Sequence, residues 1–81
     1  MRESAPRHLT DKQAAILVFI SEQTHAQGFP PSYEEIGAHF GITKKTAWEH
    51  VRALQDGAYV ARTYATARGL KVLRLPPSVL P

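Results

Sequence analysis

Apolar residues recur at helical spacing along the first two thirds of these 81 residues, and then give way to a shorter, strand-like rhythm. After Thr10, the residues Ala14, Leu17, Val18 and Ser21 fall three or four apart, and Ile16, Phe19 and Ile20 widen the same stripe. Thr10 and Gln13 have the spacing of a capping box, so a helix is expected over residues 11–26. Gly28 suits a left-handed cap, and Phe29-Pro30-Pro31 forces an extended crossing because proline disfavours helix in the residue before it. Ser32 and Glu35 repeat the capping-box spacing and open a second helix over 33–39, with Ile36 and Phe40 on one face. Gly41 permits a tight turn, Ile42 is placed to plug a core, and Thr43 is a good N-cap for a third helix over 44–56. There Ala47, Val51 and Leu54 share one face, whereas Lys45, Trp48, Glu49 and Arg52 project from the other. Trp48 falls at the edge of the polar face and His50 beside the apolar stripe.

Gly57 closes the third helix, and residues 59–62 and 70–75 then read as two strands rich in β-prone side chains, joined by a hairpin loop over 63–69. The tail 76–81, PPSVLP, does not suit strand pairing. Three helices followed by a hairpin predict a mainly α fold with a small β-hairpin, the order of a winged helix-turn-helix. It would occupy 9–75, with an N-terminal tail over 1–8 and a C-terminal tail or linker start over 76–81.

Length and composition fit that reading: 81 residues with 43% hydrophobic and 21% charged side chains suit one small globular domain. Without cysteine, disulfides, thiol catalysis and thiolate metal sites are excluded. The first twelve residues lack the apolar stretch of a signal peptide, and no run approaches the ~18 apolar residues that span a bilayer. A cytoplasmic protein that does not enter membranes is the expectation. Charge changes the picture more. The net charge is +3, but from Gly41 to Leu75 seven basic residues face two acidic ones, a local excess of +5. A basic half points to a polyanionic partner, although a solvated basic surface would give the same count.

The third helix has the properties of a major-groove reader, with one side to pack and long polar groups on the other. Lys44 and Lys45 add positive charge at the end where the helix dipole favours a phosphate. Lys45 and Arg52 are placed for base edges or phosphates. Trp48 suits a thymine methyl or a sugar, but partial burial against the wing or a contact with another molecule would also account for it. Glu49 either accepts from a cytosine amino group or pairs within the helix with Lys45 or Arg52. Arg68 in the hairpin loop is within reach of a phosphate or the minor groove, and Lys71 and Arg74 join it only if their strand turns the right face outward. Tyr64 either stacks there or closes the hairpin by packing. Ser32, Thr43 and Thr46 complete the candidate set. The four histidines have no metal-ligand spacing, and neither a phosphate-cradling glycine loop nor an acid–base pair of carboxylates is present. Neither an enzyme, a cofactor nor a small-molecule substrate is therefore expected.

In order, LTDKQAAILVFI, GFPPSYEEIGAHFGI, EHVRAL and ARGLKVL resemble the N-terminal DNA-binding domain of LexA repressors over about residues 9–75. The first two segments carry most of the specificity, because the others occur in many winged helices. The resemblance implies sequence-specific operator binding and transcriptional repression, with the third helix as reader and the wing on the backbone. From Gly41 to His50 the chain is one residue shorter than such relatives, so the reading role carries over to 44–52 without base assignments. LexA repressors also carry a C-terminal half with a self-cleaving Ala-Gly bond, a Ser-Lys dyad and the main dimer interface. Within 81 residues none of these is expected, and a homodimer would form on a palindromic DNA site or by other contacts. A winged-helix protein-interaction module and a nonspecific architectural DNA binder are the alternatives.

Overall fold

The computed structural model describes residues 9–62 and 69–75. The flanking segments 1–8 and 76–81, and the loop 63–68 with Tyr64 and Arg68, lie outside the described residues. Three helices, α1 (Asp11–Gln27), α2 (Tyr33–Phe40) and α3 (Lys44–Asp56), precede two strands, β1 (Val60–Arg62) and β2 (Leu70–Val72). The strands pair antiparallel in the register Val60–Val72, Ala61–Lys71 and Arg62–Leu70. The mainly helical fold with a two-stranded hairpin is therefore the one the sequence predicts.

Each helix starts where a side chain can satisfy its orphan N–H groups. Thr10 accepts from the Gln13 amide at 3.0 Å while Gln13 reaches back to the Thr10 amide, and Ser32 and Glu35 do the same for α2. Thr43 caps α3 through the Thr46 amide at 3.0 Å. Gly28 and Gly41 both end their helices in the left-handed conformation, which glycine adopts without steric cost. Gly57 closes α3 as expected. It keeps a negative φ, and the left-handed residue is Ala58, with φ 61°. The Ala58 amide donates to Gln55 O and the Tyr59 amide to Leu54 O, each at 2.9 Å, closing a Schellman motif whose flanking side chains Leu54 and Tyr59 are both buried.

The core lies where the three helices meet the hairpin: Ile16, Leu17 and Ile20 from α1, Ile36 from α2, Ala47, Val51 and Leu54 from α3, then Tyr59 and Val60. In α1 the buried stripe is centred on Ile16, Leu17 and Ile20, with Ala14 and Val18 only half-buried, a rotation from the expected centre. The ladder also ends earlier than the pattern predicts. Beyond Val72, the amides of Leu73 (2.8 Å) and Arg74 (3.3 Å) both point to Tyr59 O, so the chain folds over one carbonyl instead of continuing as a strand to residue 75. The Arg74 guanidinium donates to Gly57 O at 2.7 Å and lies over the Tyr59 ring, 4.1 Å from its centroid, which fastens the strand's end to the end of α3.

The turn between α2 and α3 depends on Gly37. Its amide partner across the turn is close: Ile42 N donates to Gly37 O at 2.9 Å, and a Cβ at position 37 would stand 2.7 Å from Ile42 O. Glycine inside a helix ordinarily costs about 0.5–1 kcal/mol relative to alanine. Here the sign reverses, since the obstacle is backbone. Gly37→Ala is expected to lower unfolding stability by about 1–3 kcal/mol in urea titrations, the usual cost of overpacking a fitted contact. A gain in stability would show that the turn is not closed in this way.

Candidate nucleic-acid interface

Burial of Ala47, Val51 and Leu54 fixes the rotation of α3 about its axis. With that face inward, Lys45, Trp48, Glu49 and Arg52 are all exposed, as their spacing predicts, and Lys44, in register with Ala47 and Val51, is exposed at the first position of the helix. Trp48 keeps 40% exposure and is, among the described residues, the one large apolar side chain of α3 left open. The Arg52 guanidinium lies 5.8 Å from its ring centroid and 3.8 Å from Asp56 one turn on. Since 60% of the Arg52 and 72% of the Asp56 side chain is open to solvent, that pair is weak and Arg52 is readily released to a ligand. Glu49 has no ion pair among the described residues, so the intrahelical pairing with Lys45 or Arg52 is not formed.

The three hydroxyl-bearing candidates sit at helix starts. Thr43 is committed twice, accepting from the Thr46 amide and donating to Thr46 Oγ1, both at 3.0 Å. Ser32 accepts from the Glu35 amide at 3.1 Å, and its hydroxyl hydrogen remains able to donate. Folding brings Ser32 and Lys44 together across a hollow of about 210 Å³ that Tyr33, Glu34, Arg62 and Leu70 also line. The starts of α2 and α3, the end of β1 and the start of β2 thus converge on one place. Positive dipole ends and two cations favour an anion there, and Glu34 opposes it.

Tyr33 and Arg62 are members of this surface that the sequence pattern does not single out. Arg62 donates to the Tyr33 hydroxyl and its guanidinium lies 5.3 Å from the Tyr33 ring centroid, tying β1 to α2. The available signal was an aromatic residue directly after the Ser32 cap. Lys71 is not gathered with them. Leu70 and Val72 pack against the core, so Lys71 between them is exposed on the opposite face of the hairpin. Arg74, engaged with Gly57 and Tyr59, serves the fold. Arg68 lies outside the described residues. Among the described residues no three His, Asp or Glu side chains gather to hold a metal, and no helix is long and apolar enough to cross a membrane.

The sequence model of the LexA DNA binding domain matches residues 6–69. A LexA repressor of Leptospira interrogans (serovar copenhageni) is 39% identical over 71 residues, covering 88% of this chain and 35% of that protein. Those of Stenotrophomonas maltophilia (39% over 70 residues, 85% of this chain, 33% of that protein) and Thermotoga neapolitana (37% over 68 residues, 84% and 34%) are similar. The chain spans about a third of the length of these curated relatives.

The bridge between Arg62 and Tyr33 yields a test of how the hairpin is held. Tyr33→Phe keeps the ring and removes the acceptor, and is expected to cost about 1 kcal/mol of unfolding stability, the ordinary worth of a part-buried hydrogen bond. An unchanged urea midpoint would show that the contact holds nothing.

Proposed function

The chain belongs to the LexA DNA-binding domain family, and from that premise we propose that it binds double-stranded DNA sequence-specifically as a transcriptional repressor. The observation that carries this reading is the division of α3 into a buried face and an exposed one bearing Lys45, Trp48, Glu49 and Arg52, with Lys44 exposed at its first position. Such a helix fits the B-DNA major groove, whose width of about 12 Å admits it and whose edges distinguish all four base pairs. Lys45 and Arg52 reach base edges or phosphates, and Glu49, lacking an intrahelical partner, is available to accept from a cytosine amino group.

Ser32, Thr43, Lys44 and Thr46 stand at helix starts beside the hollow or next to it, where the DNA backbone would run. The wing would meet the adjoining backbone through Arg68, and Lys71, on the outer face of the hairpin, adds positive charge there. The protein works by binding, in the cytoplasm, without a cofactor. Because one α3 reads one half-site, two copies on a palindrome with half-sites about one helical turn apart would complete the operator.

Selection of bound duplexes from a random pool, followed by fluorescence anisotropy, tests the reading. The selected duplex is expected to bind at least ~10³-fold more tightly than unrelated DNA. Affinity should fall with salt at a slope of about −0.9 per phosphate contact, and Lys44→Ala should flatten that slope by about one contact. Arg52→Ala should cost about 1–3 kcal/mol of preference at one base pair, and a uniform loss across sequences would assign Arg52 to a phosphate instead. Equal affinity for all duplexes would replace this reading with a nonspecific architectural one. No duplex binding at low salt would leave α3 as a protein-docking surface.

A further inference from the structure

Trp48 is an unusual group to leave in water on a helix otherwise lined with lysine, glutamate and arginine. Its indole forms one wall of a second, open hollow of about 420 Å³, completed by Tyr33, Lys44 and Lys45. The surface inside is almost wholly apolar, as two aromatic rings and the methylene stems of two lysines make it, and each lysine carries its charge at the end of that stem. An occupant must therefore be apolar where it enters and anionic around that point. A DNA strand in the major groove meets both conditions. Its phosphates suit the two ammonium groups, and the one alkyl group it presents in that groove is the C5-methyl of thymine.

Position along the helix agrees. Trp48 is five residues past the Thr43 cap, and at 1.5 Å per residue its Cα lies about 7–8 Å further along the axis than the capped end that favours phosphate. That places it in the second turn, within the N-terminal part of the helix that helix-turn-helix proteins turn toward base edges.

Resting on the DNA-binding reading above, we propose that Trp48, with the hollow it shares with Tyr33, is a specificity-determining residue that receives a thymine C5-methyl group. The contact is apolar. It selects thymine over cytosine and over a purine at one position of each half-site, while neighbouring polar side chains read other positions.

Deoxyuridine in place of thymine isolates this contact, because it removes the methyl group and keeps every hydrogen-bonding group of the base. Starting from the selected duplex, each thymine is replaced in turn and affinity measured by anisotropy. One thymine per half-site is expected to weaken binding about fourfold when replaced, the worth of burying one methyl-sized group. That sensitivity should vanish in Trp48→Ala and persist in Trp48→Phe, with circular dichroism melts confirming that both variants fold. Full insensitivity to deoxyuridine would overturn the proposal while leaving DNA binding intact, as would an equal effect in Trp48→Ala, since a sugar contact or an indole N–H bond does not depend on the methyl. A selected site with no thymine facing α3 would overturn it as well. Absence of any duplex binding would instead remove the reading on which it rests.

Discussion

Helix α3 can offer a polar face because three of its side chains, Ala47, Val51 and Leu54, are entirely withdrawn from solvent. A helix held by one face cannot rotate without exposing that face, so the burial of these three side chains fixes the direction of Lys45, Trp48 and Arg52. The rest of the molecule serves that constraint. Ile16, Leu17 and Ile20 of α1 and Ile36 of α2 supply the surface against which α3 packs. The close approach of Gly37 to Ile42 O sets the distance at which the second and third helices can turn about each other. Arg74 and the Schellman motif at Ala58 then direct the chain from the end of α3 into the hairpin.

The outcome is a surface assembled from segments distant in sequence. The starts of α2 and α3 and the end of β1 meet around a hollow in which Ser32, Tyr33, Lys44 and Arg62 are neighbours. Beside it, Trp48 and the same Tyr33 enclose an apolar recess. Tyr33 is shared by both, and its hydroxyl is fastened by Arg62, so the position of β1 and the shape of this surface are mechanically linked.

Features set by neighbouring residues were legible in the sequence. Both capping boxes, Thr10 with Gln13 and Ser32 with Glu35, mark helix starts that the structure forms, and the spacing of Ala47, Val51 and Leu54 gives the orientation of α3 directly. Long-range effects were not legible. The second strand stops at Val72 because Tyr59 O captures the next two amides, an event thirteen or more residues away along the chain. Ala58 takes the left-handed turn that glycine chemistry would assign to Gly57, since burying both Leu54 and Tyr59 places the turn one residue later. Of the site, the residues on α3 were readable from one helical wheel. Tyr33 and Arg62 were not, because nothing local reveals that positions 29 apart touch, and the separation of Lys71 from them depends on which face of a short hairpin meets the core.

Because Trp48 is the single tryptophan of the chain, its fluorescence reports on the outer face of α3 without labelling. The decisive measurement is acrylamide quenching of that emission, free and with saturating duplex. If α3 lies in the groove, the quenching constant should fall severalfold in the complex. If Trp48 remains as accessible as in the free protein while anisotropy shows the duplex to be bound, DNA occupies another surface and the account of α3 as the reading helix is wrong.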